Sequence, residues 1–461
     1  MHKKFISLLL AGVLTLGLFG CGNGKVEGPA INGVSLSKYA IVYSEEDTDY
    51  AFRGAEYIQA QIKERTGLEL PLQEDSAVTA KYEIVVGDTG RDISSKLDVD
   101  TGKNSFAIMA TKKQVALEGD YFLIAAAAYY FVETYITQGD FNAQIPKEAT
   151  ICQPITEAPN NYIFLIGDGM GFNHTKLFEN APVDLKQTDG FSDKEDIFYG
   201  YLLPAQGSAH TDSLSGTTDS AAAGTALAPG YKTHNRYIGM DGNGDPVKSL
   251  TELANEQGKA TAVLSTDSRS GATPSTFSAH AADRGDTNII MASQGEIEKA
   301  GTIISCDYNV FETRKVEKQI EGTVLETLAK LEQDEDGFFM MYEEAHIDKY
   351  SSANNLNQAF MAVARFNQVI GIVMEHAFYN PDTFVLITAD HETGDLQPSA
   401  DGRMQYHIEG HTSADVPVFA YGQGSQLFDG VAVENVQIPK TIAKMWGVAD
   451  FGDSTTQSAL Q

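Results

Sequence analysis

Cysteine is scarce in this chain, with three residues in 461. So few thiols exclude a disulfide framework, and only Cys152 and Cys306 lie well inside the sequence. One bridge between them or two separate buried thiols are both open, the second being simpler. The apolar run at the N-terminus is also short. It extends from Phe5 to Phe19 behind His2, Lys3 and Lys4, which is too little to span a bilayer comfortably and fits a signal peptide. Basic residues are outnumbered, 33 Lys and Arg against 63 Asp and Glu, for a formal charge of -30. Such a surface repels nucleic acid and anionic headgroups over long range, so neither is an expected partner.

The apolar run ends in Leu18-Phe19-Gly20-Cys21, which resembles a bacterial lipoprotein processing site. An acylated Cys21 would hold the protein extracytoplasmically on a membrane surface, through its lipid alone and with no transmembrane helix. Residues 1–21 are then the signal peptide, and residues 22–37, Gly-rich and mostly polar, a tether.

The length allows two domains. Over 38–138 strand-like and helix-like patterns alternate. Tyr39–Tyr43, Tyr82–Val86, Phe106–Thr111 and Gln114–Leu117 read as strands, and Tyr50–Arg65 and Phe122–Tyr135 as helices. This order predicts a small α/β domain with helices on one face, in which no acid–base constellation is visible. By this pattern and by Val85-Val86-Gly87-Asp88-Thr89 it resembles the small domain that precedes the catalytic domain in several polysaccharide-degrading enzymes, and reads as an accessory or spacer module. Residues 139–161, with Pro146, Pro154 and Pro159, read as a linker.

From Tyr162 to residue 461 the pattern is α/β. Apolar strands at Tyr162–Ile166, Thr261–Ser265, Phe338–Tyr342, Thr383–Thr388 and Val416–Tyr421 are fed by helices at Leu250–Gln257, Thr323–Leu331 and Asn355–Phe378. The expectation is a doubly wound, mostly parallel sheet, in which ligands bind beyond the C-terminal strand ends. Polar residues collect there: Asp168 in Gly-Asp-Gly-Met-Gly, Glu343 and Asp348 in Glu-Glu-Ala-His-Ile-Asp-Lys, Asp390-His391 in Thr-Ala-Asp-His-Glu-Thr-Gly, and His411 in Gly-His-Thr. The ordinary readings are a turn residue at Asp168, a solvated acidic loop at Glu343 and Asp348, and a structural histidine at His411. An Asp-His pair ending an apolar strand is the one that favours a metal pair.

The stretch Thr217 to Gly230 reads T-T-D-S-A-A-A-G-T-A-L-A-P-G. Asp219-Ser220 before a run of Ala and Gly predicts a helix with Ser220 at its N-terminus, facing anions with backbone N–H groups and the positive end of the dipole. A capped core helix is the plain alternative. The continuation to Asp241, with Gly-x-Lys-Thr and Gly-x-Asp, resembles the nucleophile segment of the alkaline phosphatase family, and the order of the other motifs resembles the same family from about Tyr162 to Gly447.

That resemblance implies a phosphomonoester hydrolase with a phosphoserine intermediate on Ser220, two Zn2+ ions and one Mg2+. Asp168, Asp390, His391 and Ser220 would hold one zinc, and Asp348 and His411 the other. Thr273 and Glu343 would join Asp168 at the magnesium. Arg284, placed by Gly271-A-T-P-S-T-F-S-A-H-A-A-D-Arg284, would clamp phosphate bidentately, and Lys349 would contact it. The substrate would be a small phosphate ester, attracted locally against the acidic field, and a homodimer is compatible with the resemblance. A phosphodiester or sulfate ester substrate, or a surface binding lipoprotein with a degraded metal site, are the alternatives.

Three departures stand out. The chain has Ser352 where the family offers a His to the first zinc, Gly271 where it offers Asp or His two residues before the magnesium Thr, and no disulfide-bearing insertions. His407 and His346 are the nearest histidines in sequence that could replace the missing imidazole; loose metal binding is the other outcome.

Overall fold

The computed structural model describes residues 28–44, 49–97, 102–180, 197–306 and 313–461; Cys21 and the signal segment lie outside them. Among the described residues no helix is long and apolar enough to cross a membrane.

An eight-stranded sheet dominates the larger part of the chain. Its spatial order is Ile303–Ser305, Ala260–Ser265, Phe338–Glu344, Asn161–Gly167, Thr383–Thr388, Val416–Tyr421, Ala205–His210 and Ala432–Glu434. Neighbours pair in parallel except along Val416–Tyr421, which runs antiparallel to both of its own. The sheet is thus mixed but mostly parallel, with helices flanking it, as the alternating pattern predicts. Residues Tyr162 to Ile166 are all buried, which is why this strand reads as a continuous apolar run instead of an alternation. Ala205–His210 (AQGSAH) carries no such run. Its pairing to both neighbours makes it a strand, which its local propensity does not.

The smaller sheet has the order Leu72–Glu74, Ala40–Tyr43, Glu83–Val86, Gln114–Glu118, Phe106–Ala110, Thr150–Cys152. Alternation along its strands sorts two apolar sets. Ile84, Val86, Ile108, Val115 and Leu117 belong to the main core that includes the helices Asp49–Thr66 and Leu123–Tyr135, while Val85, Ala107, Met109 and Ala116 pack with Ile93 and Leu97. The second set corrects the expectation of helices on one face, because Leu97 ends a short helix, Ser94–Leu97, that covers part of the other.

Two further expectations are corrected. Residues read as tether include the paired strands Ala30–Ile31 and Val34–Ser35, with Ile31 and Leu36 fully buried. Residues read as linker supply Asn142–Ala143, which pairs with Ala30–Ile31, and Thr150–Cys152, which closes the edge of the small sheet. Short segments of low apolar content gain order here from backbone pairing and a few anchors, which composition does not register. Cys152 and Cys306 are not bridged, and both are only part-buried.

The small sheet is not held at arm's length. Its helix Leu123–Tyr135 packs on the long helix Leu356–Tyr379 of the large part. Tyr57 stacks on Tyr379 at 4.3 Å, and Arg53 Nε reaches Glu375 at 2.9 Å. One apolar core runs through both.

Candidate active site

The strand ends gather the acidic residues. Asp168 follows Asn161–Gly167, Glu343 lies at the end of Phe338–Glu344, and Asp390-His391 follow Thr383–Thr388. Register holds them side by side, since Glu343 is the pairing partner of both Ile166 and Ser265. The turn after Asp168 requires glycine: Gly169 has φ +76°, and a Cβ there would lie 2.8 Å from both Asp348 Cα and Thr393 Oγ1. Asp348 sits in the first turn of the helix His346–Ser352, and His411 pairs with Thr393 across a two-residue ribbon.

Ser220 is the first residue of the helix Ser220–Leu227, with Asp219 as N-cap accepting from the Ala222 N–H at 3.0 Å. Its Oγ lies 3.2 Å from His391 Nε2. The small residues behind it serve packing as well as access, since a Cβ on Gly224 would meet Thr276 Oγ1 at 2.5 Å.

Both imidazoles are presented in the same way. His411 Nδ1 donates to the Thr218 carbonyl at 2.8 Å. Thr393 Oγ1 donates to Asp348 Oδ1 at 2.6 Å and accepts from His391 Nδ1 at 3.2 Å. These bonds place a proton on Nδ1 of each ring and turn Nε2 inward, the nitrogen a metal ligand offers once it is deprotonated. The rings stack at 3.5 Å.

Two ligand groups result, Asp168 with Asp390 and His391, and Asp348 with His391 and His411, the donor atoms of each lying within 4.8 Å of one another. The electrostatics fit a cation. Burial, then the charges of Asp390, Asp348 and Glu343, raise the Asp168 carboxyl well above its ordinary range. Burial and then the Asp267 charge push Glu343 up to about 8. Asp168 Oδ1, Asp390 Oδ2 and Thr273 Oγ1 are buried without a hydrogen-bond partner. Unpaired buried carboxylate oxygens are costly, and a divalent ion is the counter-charge that would settle them. Mixed imidazole and carboxylate donors suit zinc, and Glu343, which the resemblance assigns to magnesium with Asp168 and Thr273, falls outside both groups.

Arg284 stands outside the ligand groups. Its Nη1 donates to Asp219 Oδ2 at 3.2 Å, and its side chain is one-third exposed. Lys349 pairs with Asp267, and the nearby Glu343 and Asp168 charges also bear on it. Ser352 Oγ reaches only Asp348 Oδ1, at 3.5 Å. Neither proposed substitute histidine joins the groups: His346 Nδ1 bonds Thr266 Oγ1, and His407 faces Gln405 and Asp395 at the surface.

Sequence reasoning missed Thr393, Arg236 and Asp267, and the second task of Asp219, which is to hold Arg284. Asp219 fixes both Ser220 and Arg284, and Thr393 links Asp348 to His391. Arg236, at φ +80°, donates from its backbone to Asp219 and grips Asp283 with two nitrogens, each at 2.7 Å. Asp267 stands two residues beyond the strand Ala260–Ser265, where the strand-end rule that located Asp168 and Asp390 would also have found it.

Comparison with known proteins gives one answer. The alkaline phosphatase family model matches residues 159–317 and 306–406. The chain is similar to alkaline phosphatase 3 of Bacillus subtilis (strain 168), 29% identical over 330 residues, which is 59% of this chain and 69% of that protein. Among solved structures it superimposes on the alkaline phosphatase of the Antarctic bacterium TAB5 with a TM-score of 0.54 at 24% identity, covering 64% of this chain and 99% of that one. A histidine variant of the TAB5 enzyme, with magnesium bound in a site designated M3, aligns with a TM-score of 0.53, 24% identity and the same coverage. At this identity the superpositions speak for the fold.

Proposed function

Since the chain belongs to the alkaline phosphatase family, we propose that this hydrolase cleaves phosphomonoesters, depends on metal ions, and carries the phosphoryl group on Ser220 between two displacements. The observation that supports it most is the Ser220 hydroxyl, at a helix start and 3.2 Å from the one imidazole common to both ligand groups.

Zinc at Asp168, Asp390 and His391 and at Asp348 and His411, with magnesium at Asp168, Glu343 and Thr273, would lower the pKa of a bound hydroxyl and offset phosphoryl charge. The residues of the chain do the rest. Ser220 Oγ bonds to phosphorus as the ester oxygen leaves; water then replaces the seryl oxygen, releasing phosphate and restoring Ser220. Arg284, held at one nitrogen by Asp219, keeps further donors for two phosphoryl oxygens. Lys349 adds a second positive charge, and this pair supports a dianionic monoester over a diester or sulfate ester, which carries one charge less.

The same reading takes the protein to be lipid-anchored through Cys21 on the outer face of a bacterial membrane, acting on small phosphate esters, with no nucleic-acid partner and with a homodimer compatible with it. The Leu-x-Gly-Cys run and the charge of -30 support this. Turnover of an aryl phosphate, a bis-aryl phosphate and an aryl sulfate, with and without zinc, tests the substrate class. Acid quenching during turnover tests the intermediate, with phosphate expected on Ser220. Preference for the diester or sulfate, or label on another residue, overturns the reading.

A further inference from the structure

Arg236 holds a backbone conformation that its side chain does not favour. Its φ is +80°, in the left-handed region where glycine is the ordinary occupant because a Cβ crowds the main chain. Stability does not account for an arginine there. Its guanidinium grips Asp283 through Nε and Nη2, each at 2.7 Å, but the two side chains are 57% and 40% exposed, and ion pairs so open to water contribute little to folding. A strained residue whose ion pair faces solvent points to a local task.

The task is visible in what the residue joins. Its N–H donates to Asp219 Oδ2 at 3.0 Å, and its carbonyl accepts from the Arg284 N–H at 2.8 Å. Arg284 Nη1 returns to Asp219 Oδ2 at 3.2 Å. Asp219, Arg236 and Arg284 thus close a ring of hydrogen bonds directly before Ser220. Beside it, Ile238 and Ala281 exchange two backbone bonds of 2.9 Å, so that 236–238 and 281–284 run as a short antiparallel pair. The side-chain clamp locks the end of that pair. Asp283 immediately precedes Arg284, and its Oδ1 also accepts from the Gly285 N–H at 2.7 Å, so the clamped carboxylate ties down the chain on both sides of Arg284. A planar guanidinium that meets two phosphoryl oxygens needs its stem fixed as well as its tip. Asp219 holds the tip, and Arg236 holds the stem.

We propose that Arg236, through its clamp on Asp283, is a positioning residue for Arg284 and so sets the affinity of the site for a phosphoryl group. This rests on the reading of Arg284 as a phosphate ligand given above, and adds to it a residue that the reading does not use. In its left-handed conformation a single residue offers its N–H to Asp219, its carbonyl to Arg284 and its side chain to Asp283.

The zinc-loaded full chain is titrated calorimetrically with inorganic phosphate, and aryl phosphate turnover and melting temperature are measured beside it. Arg236→Ala removes the clamp and keeps the backbone strain, whereas Arg236→Gly removes both. Each should weaken phosphate binding and raise KM by about threefold or more, with kcat changed by less than about twofold. Arg236→Gly should melt above Arg236→Ala, because only the alanine keeps a Cβ in the left-handed region. Asp283→Asn separates positioning from charge. If only the field mattered, loss of an anion next to Arg284 would strengthen phosphate binding; loss of the clamp should weaken it, as in the Arg236 variants. Arg236→Ala combined with Asp283→Asn should be no worse than either alone, since both remove the same contact. Unchanged phosphate affinity in Arg236→Ala, or tighter binding in Asp283→Asn, overturns the proposal. Turnover and phosphate binding in the wild type, with the variants matching it, sink this inference alone. Phosphate binding that the variants weaken, without turnover of any phosphate ester, sinks the functional reading alone, and a wild type that binds no phosphate overturns both.

Discussion

On one side of His391 the ligands are deeply buried and each carboxylate keeps one oxygen without a hydrogen bond; on the other they are part-exposed and hydrogen-bonded. Asp168, Asp390 and His391 are 6%, 0% and 0% exposed, and one oxygen of each carboxylate has no partner. The Asp348 and His411 side chains are 17% and 21% exposed, and Asp348 Oδ1 accepts from Thr393 and faces His411 Nε2 at 3.4 Å. Their charges differ accordingly. Burial and neighbouring acids raise Asp168, whereas Asp348, which burial would also raise, is held well below the usual carboxylate range by the His411 hydrogen bond, the two imidazoles and Thr393. The first side is strained until a cation arrives; the second is nearly satisfied without one. A cation should therefore bind tightly on the Asp168 side and loosely on the Asp348 side.

The largest effect is expected at the residue both sides act on. Ser220→Ala should lower kcat by about 10⁴-fold or more with the fold intact, since only a hydroxyl is removed. Retention of substantial turnover, with an unchanged circular dichroism spectrum, would detach the nucleophile from both groups.

Next comes the support beneath them. Arg365, 4% exposed, grips Glu344 at 2.7 and 2.5 Å, and Glu344 directly follows Glu343. Arg365→Met removes both charged bonds and leaves that buried carboxylate only Thr266, Tyr342 and the His346 N–H as donors, and should cost roughly 3–5 kcal/mol in denaturant unfolding. The pH sign comes from Glu344. Burial alone would raise it, but Arg365 and His346 outweigh burial and hold it at about 2. A depressed carboxyl gives stability that is fully present above its unfolded value, about 4.3, and is lost as pH falls through about 2. The wild type should therefore lose this contribution only below about pH 4.3, and the variant should show a smaller acid-dependent step, since His346 remains. Equal stability of the two proteins at pH 7 would show that the strand end needs no such anchor.

A direct test of the asymmetry is Ser352→His, which adds an imidazole one helical turn from Asp348. It should tighten the weaker zinc by about tenfold and raise turnover at low zinc. Two tightly held zinc ions in dialysed wild type, with no gain from the added imidazole, would erase the difference between the sides.

The smallest expected effect is at Arg284, which belongs to neither group. Arg284→Lys should raise KM by several-fold, roughly the loss of one charge-assisted bond, with little change in melting temperature. An unchanged KM and unchanged inhibition by phosphate would remove Arg284 from the substrate.

Much of the fold and the site is legible in the residues alone. Apolar runs such as Tyr162–Ile166 and Thr383–Thr388 announce buried strands, and Asp168 and Asp390 come directly after them, at the end where an α/β sheet exposes its ligands. The Asp-Ser pair before Ala and Gly marks a helix start for a local reason, the cap at Asp219. Order in residues 30–38 and 142–152 is not legible, because those strands have almost no pattern and exist by backbone pairing, much of it with partners far along the chain.

The sequence by itself determined five adjoining strands of the large sheet, the helix start at Ser220 and most of the acidic and imidazole donors, because each depends on periodicity or on neighbours within a few residues. Tertiary structure alone decided that His391 serves both groups, that His346 and His407 serve neither, that Thr393 orients Asp348, and that Arg236 reaches both Asp219 and Asp283. Those outcomes depend on distances between segments far apart in the chain. Which donor reaches a shared point is set by packing and register, and neither is encoded at any one position.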